Sequence, residues 1–167
     1  KKLDKINPLI RKRIYHETNV RIFNPMLNNP ERFGWMSKTK PVNNRNPWIM
    51  SNWIMSNLLL EKDESRRAKM LYGAMIGLDS YLNSLGEDGG CDEGPSYWFA
   101  AGGSVFDCLE LLQNATNNRV NIYQNELIKK MANYVYKTHI SGEYFVNFAD
   151  ADPKLRPDGL MLYRFGN

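Results

Sequence analysis

Apolar residues recur along this chain at helical spacing, and the breaks between the runs carry helix-start signals. Asn7-Pro8 supplies an N-cap followed by proline at the first helical position. The helix it opens carries Leu9, Ile10 and Ile14 on one side and is expected to run into the high twenties. A polar, proline-containing loop covers about 29–45. Asn46-Pro47 repeats the start signal and opens "WIMSNWIMSNLLLEK", which is apolar nearly all round and so predicts a buried helix. Asp63 caps the next helix, where Leu71, Ala74, Met75, Leu78, Leu82 and Leu85 fit a 3.6-residue period. Pro95 begins another helix through "VFDCLELL", and "NATNNR" reads as a loop. Leu127, Ile128, Met131 and Val135 mark an amphipathic helix ending near Ser141-Gly142. "EYFVNFADAD" is extended or irregular, and Pro157 opens a last helix.

Two proline-led helices begin at Pro47 and Pro95, 48 residues apart, with an amphipathic helix between them. That is the period of a helical-hairpin repeat. The expected fold is all-α, with antiparallel hairpins forming a ring or solenoid. In such an arrangement the inner helices present their N-terminal ends on one rim, so Asn44, Asn46 and Tyr97 would converge on one cleft. Helix dipoles and free backbone N–H groups would make that rim favourable for an anion.

Composition narrows the picture. With 167 residues, 43% hydrophobic and 24% charged, the chain can build one domain with its own core. It begins without a methionine or signal and ends on "PDGLMLYRFGN", a helix just opening, so it reads as a piece of a longer protein. No apolar run reaches the length of a membrane span. The net charge of +4 suits an acidic partner, yet "IRKR" at 10–13 and "SRRAK" at 65–69 read as solvated helix faces. A nucleic-acid partner is therefore not expected. Cys91 and Cys108 are too few for a disulfide scaffold and lack zinc spacing, leaving them paired or free. The acids Asp88, Asp92 and Glu93 do not alternate as calcium-loop ligands do, so no metal and no cofactor are expected.

The stretch at 88–98, "DGGCDEGPSYW", resembles the D-G-x-x-x-E-x-x-x-Y segment of the heparinase II/III-like polysaccharide lyases. "NNRNPWIMSNW" at 43–53 resembles an upstream asparagine- and histidine-bearing segment of that family, and "YFVNFADAD" a downstream cleft loop. The likeness spans about 40–165 and is specific at the first two motifs. It implies an incomplete (α/α) toroid, with residues 1–167 as one helical domain of a larger ring and with downstream β-sandwich domains absent from this chain. It also implies β-elimination on uronic-acid polysaccharides such as glycosaminoglycan or alginate-like polymers, and a periplasmic or secreted protein. The implied partners are the acidic polysaccharide and the rest of the toroid, with no membrane insertion.

That chemistry asks for particular side chains. Elimination removes the C5 proton beside the uronate carboxylate and expels the 4-linked sugar. A hydrogen-bond donor must neutralise the carboxylate as charge develops. A phenolate can take the proton and then, as phenol, protonate the leaving oxygen. By the resemblance, Tyr97 is the base and acid, and Asn44, with Asn46 close behind, is the carboxylate neutraliser. Arg45 stands where many relatives carry histidine; it can bind a carboxylate bidentately but is a poor proton shuttle. A later histidine of the family would lie beyond residue 167, so the piece alone is expected to be inactive.

Plainer readings stand beside these. Tyr97 also fits a first-turn aromatic packed on Trp98 and Phe99, and Asn46 a simple N-cap. Glu93 either orients Tyr97 or Arg45 or favours the helix dipole alone. Trp48 and Trp98, at helix starts, suit sugar-stacking platforms, whereas Trp53 suits the core. Asn147, Asp150 and Asp152 fit a cleft loop or an ordinary polar turn. His16 reads as surface, and His139 as a helix-end cation. Two other functions remain open: a glycoside hydrolase on the same fold using Glu93 with Asp150, and a non-catalytic glycan-binding helical scaffold.

Overall fold

The computed structural model describes residues 2–37 and 39–166. Helix accounts for 66% of the chain and strand for 4%, so the fold is all-α. Helices α1 (Lys2–Ile6) and α2 (Pro8–Thr18) lead through a π-helical turn at Asn19–Phe23 into α3 (Asn24–Asn28). Short 3₁₀ turns follow at Pro30–Arg32 and Gly34–Met36. The centre is formed by α4 (Arg45–Leu60), α5 (Glu64–Leu82) and α6 (Pro95–Ala115). Then come α7 (Glu126–Thr138), a hairpin of β1 (His139–Ser141) and β2 (Tyr144–Phe145), and α8 (Gly159–Gly166).

Several starts form as their residues dictate. The Asn7 side chain accepts the Leu9 N–H at 2.8 Å, and Asp63 accepts the Arg66 N–H at 2.7 Å. Three expected boundaries are corrected. α4 begins at Arg45, so Asn46 lies within its first turn rather than capping it. α7 stops at Thr138, because His139 enters a strand that pairs with Phe145. The last helix also starts later than Pro157, with Asp158 Oδ1 accepting the Leu160 and Met161 N–H groups.

α4 and α5 form an antiparallel hairpin. Near the open end Gly77 faces Met50, at mid-length Gly73 faces the Trp53 ring, and near the turn Asn57 Nδ2 donates to the Arg67 carbonyl at 3.0 Å. The missing side chains at Gly73 and Gly77 let the thick Trp53 and Met50 fill the seam. α6 closes over this hairpin with Ala101, Val105, Leu109 and Leu112. Met50 and Ile54 are fully buried, each contributing about 1.5–3 kcal/mol of hydrophobic stabilisation. The expectation that α4 is apolar all round and buried holds only for one side. Trp48, Met55 and Leu59 face outward.

The amino-terminal arm is held by buried Phe23 and Met26 and by one cation. Arg66 donates to Asn19 Oδ1 at 2.7 Å and to Asn24 Oδ1 at 2.8 Å, while also pairing with the buried Glu61 carboxylate. Its guanidinium lies 5.8 Å from the Phe23 ring centroid. Upstream of this clamp, none of the residues described in α1 and α2 is buried, so the expected apolar side of Leu9, Ile10 and Ile14 is left outside the core.

A second, smaller cluster holds α6 to α7 and the hairpin: Cys91, Trp98, Tyr134, Val135 and Phe145. Gly89, at φ +73°, threads beneath α7, and a Cβ there would stand 2.5 Å from the Met131 nitrogen. The atoms it would meet are α7 backbone, which has little room to yield. Gly89→Ala should therefore destabilise the fold by about 2–4 kcal/mol, the combined cost of a left-handed alanine and overpacking. A lower urea midpoint with an unchanged m-value would show it.

Candidate functional site

The two segments that resemble the lyase motifs meet in space. Asn44 ends the loop before α4, and its Nδ2 donates to the Glu93 carboxylate, which belongs to the loop before α6. The partners are 49 positions apart in sequence, and both are half-buried. Glu93 is thus occupied in orienting Asn44, rather than Tyr97 or Arg45 as expected. Since an amide nitrogen carries two protons, one remains for another acceptor.

The helix starts are staggered, which corrects the expected level rim. The Pro47 carbonyl lies 3.7 Å from Cys108 Sγ, halfway along α6. Cys108 follows Tyr97 by about 16 Å of rise on the same helix, at 1.5 Å per residue. Glu93, just ahead of α6, is the residue that reaches across to Asn44.

Tyr97 sits on the first turn of α6, 38% exposed. It faces solvent while its neighbour turns inward. Trp98 is only 1% exposed, packed between Phe99 at 5.5 Å and Tyr134 at 6.2 Å between ring centroids. The expectation of Trp98 as a sugar platform is corrected: its position on the helix points it at α7 and the hairpin. Trp48 does lie open, at 60% exposure.

Asn46 is the other correction. It is fully buried, and its Nδ2 donates to the Trp35 carbonyl at 2.5 Å and to the Gly77 carbonyl at 2.8 Å. It ties α4 to α5 and to the second 3₁₀ turn, and no substrate atom can reach it. Arg45, one residue earlier, is exposed, and its backbone N–H donates to Asn43 Oδ1 at 3.2 Å.

Asn147 and Asp150 are exposed on the loop after β2. This loop sits against the start of α6. The Asp152 N–H donates to Ser96 Oγ at 3.3 Å, and a Cβ on Gly94 would stand 2.9 Å from the Phe148 carbonyl oxygen. Gly94 holds φ at +89°, so glycine is needed there both for conformation and for the close passage. His139 does not reach this region; its Nε2 lies 3.0 Å from the Gly142 carbonyl and its ring 5.0 Å from Phe145.

Electrostatics in the loop run acidic. The Tyr81 phenol, beneath the loop, is pushed far above the ordinary range, first by burial and then by Cys91, Asp92 and Glu93. Burial pushes the Cys91 thiol up to about 11, with Asp92 and Glu93 adding to it. Tyr134 is raised to about 12 by burial and by Asp88. All three groups are packed in the interior, and sequence alone did not single out the two tyrosines. Both cysteines are free and buried in separate clusters.

The chain matches no family model and no curated protein.

Two measurements follow from this geometry. In a double-mutant cycle, Asn44→Ala and Glu93→Ala should show a coupling of about 1–2 kcal/mol in unfolding free energy, as expected for a charge-assisted hydrogen bond. Additive effects would mean the contact is not held in solution. The pH dependence has a definite sign. Cys91 and Tyr134 bind their protons more tightly folded than unfolded, so their contribution is complete below about pH 9 and is lost as pH rises through 11 to 12. Urea midpoints taken from pH 8 to pH 11.5 should fall, and Cys91→Ala should blunt the fall.

Proposed function

We propose that this chain is part of the catalytic helical domain of a polysaccharide lyase that cleaves uronic-acid-containing polysaccharides by β-elimination, its hairpins contributing to an (α/α) toroid. The observation that carries this reading is the Asn44–Glu93 hydrogen bond, because it joins the two stretches that resemble the family's motifs. In this reading Glu93 fixes the plane of the Asn44 amide, and the second amide proton meets the uronate carboxylate. Charge developing on that carboxylate is then neutralised without a proton being transferred to it. Tyr97, exposed four residues after Glu93, takes the C5 proton and returns a proton to the leaving oxygen. Arg45, a poor proton shuttle, takes no part in these proton transfers, and its guanidinium is left to a carboxylate of a neighbouring sugar unit. Asn46 and Trp98 have structural roles, setting the α4 start and the α6 start respectively.

The remainder of the toroid and a location outside the cytoplasm belong to this proposal too, on the same resemblance. Asn147 and Asp150 supply the polar loop beside the α6 start.

The test uses the chain within the longer polypeptide that the resemblance implies, incubated with polyuronates. Elimination leaves a C4–C5 double bond that absorbs near ~230 nm, whereas hydrolysis yields reducing ends without it. Tyr97→Phe should lower kcat by about 10²–10⁴-fold while leaving glycan affinity within a factor of about two, because only the proton carrier is removed. Turnover retained in that variant would take Tyr97 out of the mechanism. Reducing ends without absorbance would replace the lyase by a hydrolase, and neither product would favour a binding scaffold.

A further inference from the structure

A groove of about 580 Å³ runs along the outer side of α4, and four aromatic rings line it. One wall is a helical stripe: Arg45, Trp48, Ile49, Asn52, Trp53 and Ser56. Their spacing alternates between three and one, which keeps all six on one face of the helix. The opposite wall is Phe33 and Trp35 from the 3₁₀ turns, stacked at 5.0 Å between centroids with planes 26° apart. Arg21 and Ile22 of the π-helical turn close the end.

Three features of this groove point to one kind of occupant. Trp48 is largely exposed, so a flat apolar face is offered to whatever enters. The lining includes two guanidinium groups and no carboxylate. Arg21 is paired with Glu17 outside the groove, whereas Arg45 has no ion pair among the described residues. Finally, the indole N–H groups of Trp35 and Trp53 are buried without a hydrogen-bond partner among the described residues, and Trp53 is 3% exposed. A buried donor left unpaired costs about 1–3 kcal/mol, which an oxygen-rich ligand would recover once the ring turned its N–H into the groove.

We infer that this groove binds a sugar unit of an acidic oligosaccharide, with its ring on the aromatic faces and its carboxylate on Arg45. A pyranose offers flat C–H faces for stacking, hydroxyl oxygens for the indole donors, and, when oxidised at C6, an anion for the guanidinium. A nucleic-acid strand needs a continuous run of cations to follow its phosphates, and this groove supplies two. Arg45 and Trp48 stand directly beyond Asn44 on α4, so the groove continues away from the Asn44–Glu93 contact. The inference thus rests on the lyase reading for its polymer, and it adds a subsite built by residues 21–35 that the catalytic motifs do not include.

Binding is measured on the chain itself by titration calorimetry and tryptophan fluorescence, with three probes: a 1,4-linked tetrauronate, a neutral 1,4-linked tetraglucose and an octathymidylate. The tetrauronate should saturate the chain and bind at least about tenfold tighter than the neutral sugar, as one charge-assisted contact implies. Arg45→Gln and Trp48→Ala should each weaken it by about tenfold or more, with unfolding midpoints unchanged because both side chains are exposed. Tyr97→Phe should bind as the parent does. Absence of saturable binding, equal affinity for the neutral sugar, or tighter binding of octathymidylate would overturn the inference. So would self-association of the chain that Trp48→Ala abolishes, since a second copy would then be the occupant. The two readings fail separately. Tetrauronate binding without elimination in the longer polypeptide sinks the lyase and leaves the groove, and elimination with KM unaffected by Arg45→Gln and Trp48→Ala does the reverse.

Discussion

The side-chain amide of Asn46 holds together the part of the molecule on which everything functional stands. It donates to carbonyls of two separate segments, the 3₁₀ turn at Trp35 and helix α5 at Gly77. The amide is wholly shielded from water. In such surroundings the bonds are strong and their loss expensive, because water cannot replace them for a buried amide. The amide fixes the first turn of α4 against α5 on one side and sets Trp35 opposite α4 on the other. From that placement come both the position of Asn44 and the far wall of the aromatic groove.

α4 thus works as a two-sided element. Its inner side, with Met50, Ile54 and Asn57, closes the hairpin with α5 and carries α6. Its outer side, with Arg45, Trp48 and Asn52, stays open. A helix that is apolar on both sides either has two packing partners or offers one side to a ligand. Here the outer side mixes indole with guanidinium, a combination that suits a ligand carrying both flat apolar faces and negative charge.

The glycine-rich loop before α6 solves a different problem. α4 begins opposite the middle of α6, so something must span the offset between the two helix starts. Gly89 passes under α7 and Gly94 under the loop at Phe148, both with positive φ and both within touching distance of backbone. Side chains at either place would push the loop outward. With them absent, the loop lies flat and Glu93 reaches Asn44. The same compaction buries Tyr81, Cys91 and Tyr134 and gathers Asp88, Asp92 and Glu93 near them, so those groups hold their protons firmly, first through burial and then through the nearby acids.

The all-α class, the order of the helices and the caps at Asn7 and Asp63 were legible from residue type and spacing, because capping and helical period are local properties of the chain. The 48-residue interval between Pro47 and Pro95 predicted helix starts on one rim, whereas the starts are staggered and it is Glu93 that joins the two segments. What folding decided was the use of each polar or aromatic residue at those starts. Asn44 and Asn46 look alike in sequence, yet one meets a carboxylate at half-buried depth and the other vanishes into the core. Tyr97 and Trp98 are neighbours, yet 100° of helical rotation sends one to solvent and the other into a cluster. Nor could spacing reveal that Phe33 and Trp35 face Trp48 across a groove, since they come from a loop without periodicity. Local sequence sets where a helix starts and which way each side chain leaves it; what waits in that direction is set by contacts between distant segments, and those exist only once the chain has packed.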